Sequence, residues 1–122
     1  MKLLIVDDSS FSQIVTSKLI KNFFEDIDII LANDGEDGFK KYTEIKPDYV
    51  FVDLLMPKLN GHGLIKLIKE YDKNAKIFVI SADVQNSVKK EMEAYEIKSF
   101  INKPFNEEKA KLVFDIIKGD MQ

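Results

Sequence analysis

The sequence predicts an α/β protein organised as an open, doubly wound parallel sheet. Two alternating textures carry that prediction. Short apolar runs rich in Ile, Val, Phe and Tyr occur at residues 3–6, 27–32, 49–52, 77–80 and 100–101, each near strand length. Between them, apolar residues return at three- and four-residue steps, the spacing of one helix face. Runs that are apolar on both faces suit a parallel sheet covered on both sides. Five β–α repeats in series are the pattern of a doubly wound sheet with right-handed crossovers.

Each element follows in order. After the first strand, Phe11, Ile14, Val15, Leu19 and Phe23 define the expected inner stripe of the first helix. After the second, residues 34–45 form a weaker helix anchored by Phe39 and Tyr42. Pro47 ends it, because the residue before a proline is pushed out of the helical region. Leu64, Leu67, Ile68 and Tyr71 mark the third helix, and Val84, Val88, Met92 and Tyr95 the fourth. Ala110, Val113, Phe114 and Ile117 mark the fifth, expected to run to about residue 118. The few residues beyond it leave no room for an output domain, so the expectation is one domain over 1–122.

Composition narrows the function. At 122 residues, with 45% hydrophobic and 32% charged residues, the chain fits one globular domain. It contains no cysteine, which excludes disulfide frameworks and Cys-ligated zinc or iron–sulfur sites. A single histidine, His62, excludes a histidine-based metal cage. The 18 basic and 21 acidic residues leave a net charge of −3, without the basic surplus of a nucleic-acid footprint. The N-terminal apolar run is cut short by Asp7-Asp8, too early for a signal-peptide core. No stretch approaches the roughly 18 apolar residues of a membrane span. The expectation is a cytoplasmic protein that neither enters a membrane nor binds nucleic acid directly.

In doubly wound sheets, ligands bind beyond the carboxyl ends of the strands. Those ends read Asp7-Asp8-Ser9-Ser10, then Asp53, then Ser81-Ala82, then Asn102-Lys103-Pro104. Taken alone, each Asp or Ser also reads as a helix cap, and Lys103 as a solvated loop residue. Together they bring three carboxylates, a hydroxyl and an ammonium to one rim. Adjacent carboxylates stay ionised most easily near a cation. Oxygen ligands without His or Cys favour Mg²⁺ or Ca²⁺. An Asp carboxylate can act as a nucleophile and form an aspartyl phosphate. Phosphoryl transfer asks mainly for charge neutralisation, which a metal ion, a lysine, a hydroxyl and backbone N–H groups supply.

These residues resemble the receiver domain of two-component response regulators, the CheY-like, flavodoxin-like class. The resemblance spans about residues 2–118. It rests on Leu4-Ile5-Val6-Asp7-Asp8-Ser9, on Asp53-Leu54-Leu55-Met56-Pro57 with Gly61, on Ser81-Ala82, and on Lys103-Pro104-Phe105. It implies a five-stranded sheet of order 2-1-3-4-5 with five helices. It makes Asp53 the phosphorylated residue. Asp7, Asp8, Asp53 and the backbone carbonyl of Leu55 would hold Mg²⁺, with Mn²⁺ as a substitute. Lys103, Ser81 and Ala82 would meet the phosphoryl group, and Phe100 is the switch aromatic. Pro57, Gly61 and Pro104 are structural, Pro104 commonly following a cis bond that helps aim Lys103. The implied donor is a phosphohistidine on a sensor histidine kinase or histidine phosphotransferase. The implied output is a protein target on the face of the fourth helix, fifth strand and fifth helix. Such a protein is no enzyme beyond its own phosphorylation and autodephosphorylation.

The chain also departs from the family pattern. Ser81 stands where Thr is commoner, keeping the hydroxyl and losing a methyl. Asn60 replaces the usual Asp before Gly61, with little consequence expected because Asn is also a turn residue. Residues 94–97 lack the family's glycine, so the end of the fourth helix is expected to be tied differently. Leu55 and Asp83 occupy the two rate-tuning positions. Leu55 offers no group to orient water, while Asp83 could either position water or repel an anionic donor. His62 reads as an exposed turn residue, Phe105 as packing, and Lys40-Lys41 and Lys89-Lys90 as solvated faces. A haloacid-dehalogenase-type phosphatase would need an Asp at position 55, and a flavin phosphate would be repelled by Asp7-Asp8. A phosphate-independent interaction module remains an alternative, as does a phosphorelay carrier. The length and the Lys103-Pro104-Phe105 end favour a chemotaxis-type regulator by analogy.

Overall fold

The computed structural model describes residues 1–56, 58–82 and 85–121. Pro57, Asp83 and Val84, named above, lie outside the described residues. Among the described residues, ten elements alternate strictly: β1 (Lys2–Val6), α1 (Ser10–Lys21), β2 (Asp28–Ala32), α2 (Gly35–Ile45), β3 (Tyr49–Val52), α3 (Gly61–Tyr71), β4 (Ile77–Ser81), α4 (Asn86–Glu93), β5 (Ser99–Asn102) and α5 (Glu107–Asp120). The sheet is parallel throughout, in the order β2-β1-β3-β4-β5. The order turns between β1 and β3, whose ends are level: Val6 pairs with Val52.

Side chains in a strand alternate between faces, and here the alternation sorts the core in two. Leu4, Val6, Val50, Val52, Ile77 and Val79 pack beneath Tyr42 of α2, Leu64, Ile65 and Ile68 of α3, and Met92 of α4. Leu3, Ile5, Tyr49, Phe51, Phe78, Ile80 and Ile101 face the other way, against Ile20 of α1 and Ala110, Val113 and Ile117 of α5. The strands therefore read as continuous apolar runs because both faces are covered.

The helix ends are chemically marked. Ser9, Asp34, Asn60 and Asn106 each accept a backbone N–H in the first turn of α1, α2, α3 and α5. Asn60, expected to be harmless in place of Asp, is thus the α3 cap. The missing glycine after α4 is met by Glu96, which takes the left-handed conformation itself (φ 57°).

One expectation fails. The α1 stripe assigned to Phe11 and Ile14 points outward, with Phe11 76% and Ile14 54% exposed. The buried residues of α1 are Gln13, Thr16 and Ile20. The period is helical, but its phase is set by the polar rim. The first turns of α1 lie over the carboxyl edge of the sheet, where Gln13 finds hydrogen-bond acceptors and a Phe would not.

Gly35, the first residue of α2, has no room for a side chain, since an added Cβ would sit 1.8 Å from the Leu59 carbonyl oxygen. Helix propensity alone favours alanine over glycine by about 1 kcal/mol. Overlap with backbone outweighs it, so Gly35→Ala is expected to destabilise the fold by about 1–3 kcal/mol in urea unfolding. An alanine variant as stable as the parent would contradict the packing of α2 against the loop before α3.

Candidate functional site

Three strand ends build the site. The sheet continues one step past β1 and β3: the Asp7 N–H donates to the Ala32 carbonyl at 3.1 Å and the Asp53 N–H to the Val6 carbonyl at 3.0 Å. Both residues are buried, each 6% exposed. They are held alike. In each, Oδ1 accepts the N–H two residues on, from Ser9 for Asp7 (2.9 Å) and from Leu55 for Asp53 (3.1 Å). In each, Oδ2 faces the Lys103 ammonium, at 3.3 Å for Asp7 and 3.1 Å for Asp53. Asp8 is exposed, and one oxygen from each of Asp7, Asp8 and Asp53 lies within 4.8 Å of the others. That spacing lets the three carboxylates share one hard cation.

The charges do not cancel. Among the described residues, three carboxylates face one ammonium. Burial pushes the Asp53 carboxyl above the usual carboxylate range and the neighbouring Asp7 adds to it, against the Leu55 N–H and Lys103, which act in the other direction. Burial alone would lower the Lys103 ammonium, but Asp53 and Asp7 together raise it. The cluster is a short-range acceptor for positive charge.

The loops around the cluster support it. An added Cβ on Gly61 would lie 2.5 Å from the Asp53 carbonyl oxygen and from the Leu54 Cα, so only glycine lets α3 start against this segment. Ser81 ends β4 fully buried, and its carbonyl accepts the Lys103 N–H at 2.9 Å. Ala82 follows it, exposed. The Lys103–Pro104 bond is cis, as the resemblance implied. Leu55 is 61% exposed at the rim. Phe105 is a packing residue, buried and edge-on to Phe51 at 6.1 Å. Phe100 on β5 is half-buried, with the Lys89 ammonium of α4 5.7 Å from its ring centre. The rate-tuning position Asp83 and the structural Pro57 lie outside the described residues.

Some expectations change here. His62 is not a free turn residue, because its Nδ1 sits 3.1 Å from Glu91 on α4. Nor are Lys41 and Lys89 simply solvated: Lys41 pairs with Asp37 at 3.0 Å, and Lys89 covers Phe100. Gln13 was not foreseen. Its buried amide donates to the Asp7 carbonyl (2.7 Å), the Ala32 carbonyl (3.0 Å) and Asn33 Oδ1 (3.0 Å), tying the ends of β1 and β2 together beneath the acidic pair. No local signal singled it out, because Gln13 is one of several polar residues in α1, among them Ser12, Thr16 and Ser17.

An excess-negative acid cluster, two of its carboxylates buried, at the switch point of a doubly wound sheet and held by a lysine just past the last strand defines a receiver-type domain. Residues 3–114 match the family described as response regulator receiver domain, and the chain belongs to that family. It is a response regulator of two-component signalling. The chemotaxis protein CheY of Thermotoga maritima is 38% identical over 104 residues, 85% of this chain and 86% of that one. A chain of the CheX–CheY–BeF3–Mg²⁺ complex from Borrelia burgdorferi superposes with a TM-score of 0.82 at 33% identity, covering 100% of this chain and 90% of that one. A protein-glutamate methylesterase/protein-glutamine glutaminase of Geobacter sulfurreducens is 32% identical over 104 residues, but this chain spans only 28% of its length.

Asp53→Asn tests the electrostatics directly. A carboxyl raised by folding binds its proton more tightly in the native state, so the stability present below the unfolded value is lost as pH rises through the folded one. Lys103 keeps Asp7 as a partner in the variant. Without divalent cations, Asp53→Asn should melt above the parent at pH 7, the gap narrowing as pH falls through the raised folded value and closed below about 4. A parent that melts higher at pH 7 would mean the Lys103 pairing outweighs burial.

Proposed function

We propose that this chain accepts a phosphoryl group on Asp53 from a phosphohistidine of a sensor histidine kinase or histidine phosphotransferase. The new phosphate then alters the α4–β5–α5 face for a protein target in a chemotaxis-type system. The observation that carries this reading is the Lys103 ammonium seated between the buried Asp7 and Asp53 carboxylates, with Asp8 beside them. The CheY relatives support the pathway.

An Asp53 carboxylate oxygen attacks phosphorus. A P–O bond forms, the P–N bond to the imidazole breaks, and the leaving nitrogen takes up a proton. Asp7, Asp8, Asp53 and the Leu55 carbonyl would hold Mg²⁺, or Mn²⁺ in its place, which when bound neutralises phosphoryl oxygens. Lys103 stays within reach of a further oxygen, and its burial strengthens that interaction. Autodephosphorylation is attack by water on the same phosphorus, returning the carboxylate and releasing inorganic phosphate. The chain turns over no other substrate. A groove of about 490 Å³ lined by Asp8, Leu54, Leu55, Met56, Asn60 and His62 gives the donor a path to the rim.

The switch uses what lies beside the cluster. A phosphate on Asp53 draws the Ser81 hydroxyl, and Ala82 follows. A ligand shifts a conformational equilibrium only by contacts it makes better in one state, and here the better contacts are those to Ser81, Ala82 and Lys103. Phe100 turns further inward from its half-buried position, and the contact of α4 with its ring through Lys89 changes. No helix among the described residues is long and apolar enough to cross a membrane, and the reading places the chain in the cytoplasm with protein partners alone.

Intact mass after incubation with acetyl phosphate checks the chemistry. The expected result is a gain of one phosphoryl group that requires Mg²⁺ and is absent in Asp53→Asn. No gain with either acetyl phosphate or a phosphorylated kinase would leave a phosphate-independent interaction module.

A further inference from the structure

Lys103 is held from behind by a second lysine. Its backbone N–H makes a sheet-like bond to Ser81 at 2.9 Å, but the chain then leaves the sheet. Pro104 has no N–H to donate, so backbone bonding does not secure the next step. The turn is gripped from α5 instead. Lys109 Nζ donates to the Asn102 carbonyl at 2.6 Å and to the Pro104 carbonyl at 3.0 Å. Those two carbonyls flank Lys103 on either side. The backbone N–H of Lys109 is fixed in turn by Asn106 Oδ1 at 2.9 Å, so the ammonium is mounted on the first turn of α5. Among the described residues, no carboxylate lies in salt-bridge range of Lys109. A flexible, strongly hydrated ammonium has thus been placed on two backbone acceptors, and charge-assisted bonds of this kind are stronger than neutral ones.

We propose that Lys109 is a positioning residue for phosphoryl transfer, bracketing Lys103 between two captured carbonyls so that the Lys103 ammonium stays aimed at Asp7 and Asp53. The inference rests on the reading that Asp53 accepts the phosphoryl group. Lys109 itself touches neither carboxylate. It acts on the orientation of the group that does, and orientation errors near an ångström cost rate rather than fold.

The test compares the parent, Lys109→Met and Lys109→Arg in initial rates of phosphorylation by acetyl phosphate at saturating Mg²⁺. It is run well below the melting temperature of every variant, with circular dichroism as the check on folding. Lys109→Met should lower the maximal rate by about tenfold. The half-saturating acetyl phosphate concentration should move less than about twofold, because ground-state binding is untouched. Lys109→Arg, which keeps the donors, should recover most of the rate. Should Lys109→Met fail to fold, Lys109→Gln, neutral and shorter, carries the same comparison. A parental maximal rate in Lys109→Met, or a loss that Arg does not recover, overturns the proposal while leaving Asp53 as acceptor. A parent that takes up no phosphoryl group overturns the reading beneath it.

Discussion

The Lys103 ammonium reaches two buried carboxylates that come from different strands, and the architecture of the rim is arranged around that grip. Asp7 and Asp53 would repel each other at this separation without a cation between them. Among the described residues one lysine faces three carboxylates, so the repulsion is reduced but not removed. The site is therefore held together by an ion pair that leaves charge unsatisfied. Burial is what gives that imbalance its force, because in water the same charges would be screened to little effect.

The fold makes this possible by bringing distant residues level. Asp7, Asp53 and Lys103 follow β1, β3 and β5, which are not all neighbours in the sheet, yet each lies just past a carboxyl end. Register fixes the heights: Val6 sits opposite Val52, and Ser81 opposite Asn102. The glycine start of α3 presses on the Asp53–Leu54 backbone, and Gln13 fastens the β1 and β2 ends from below. The opposite end of the molecule is tied separately, where Tyr49 and Lys98 both meet Asp120 at 2.9 Å and 3.0 Å. The carboxyl rim is thus free to carry unfavourable charge while the rest of the chain carries the stability.

Much of this was legible in the sequence. Continuous apolar runs announced buried parallel strands, and the acidic pair, Asp53, Ser81 and Lys103 could be placed because a strand's end locates its next residue. What stayed hidden were partners chosen by three-dimensional proximity. Gln13 sits in α1 where periodicity predicted only an apolar stripe; the helix phase follows acceptors on β1 and β2, which no local pattern encodes. His62 meets Glu91, 29 residues away, across two helices. Glu96 fills the role of an absent glycine, which shows only in its dihedral angle.

The acid cluster is short of positive charge, and we propose that a divalent cation relieves it. The most direct measurement is the melting temperature of the parent across a Mg²⁺ series, beside NaCl of matched ionic strength. A ligand that binds only the native state raises stability with the logarithm of its concentration once above its dissociation constant. A steady rise with Mg²⁺ that NaCl does not reproduce, and that shrinks in Asp53→Asn, is the expected result. A flat response, or one that NaCl reproduces in full, would mean that the cluster holds no specific divalent cation.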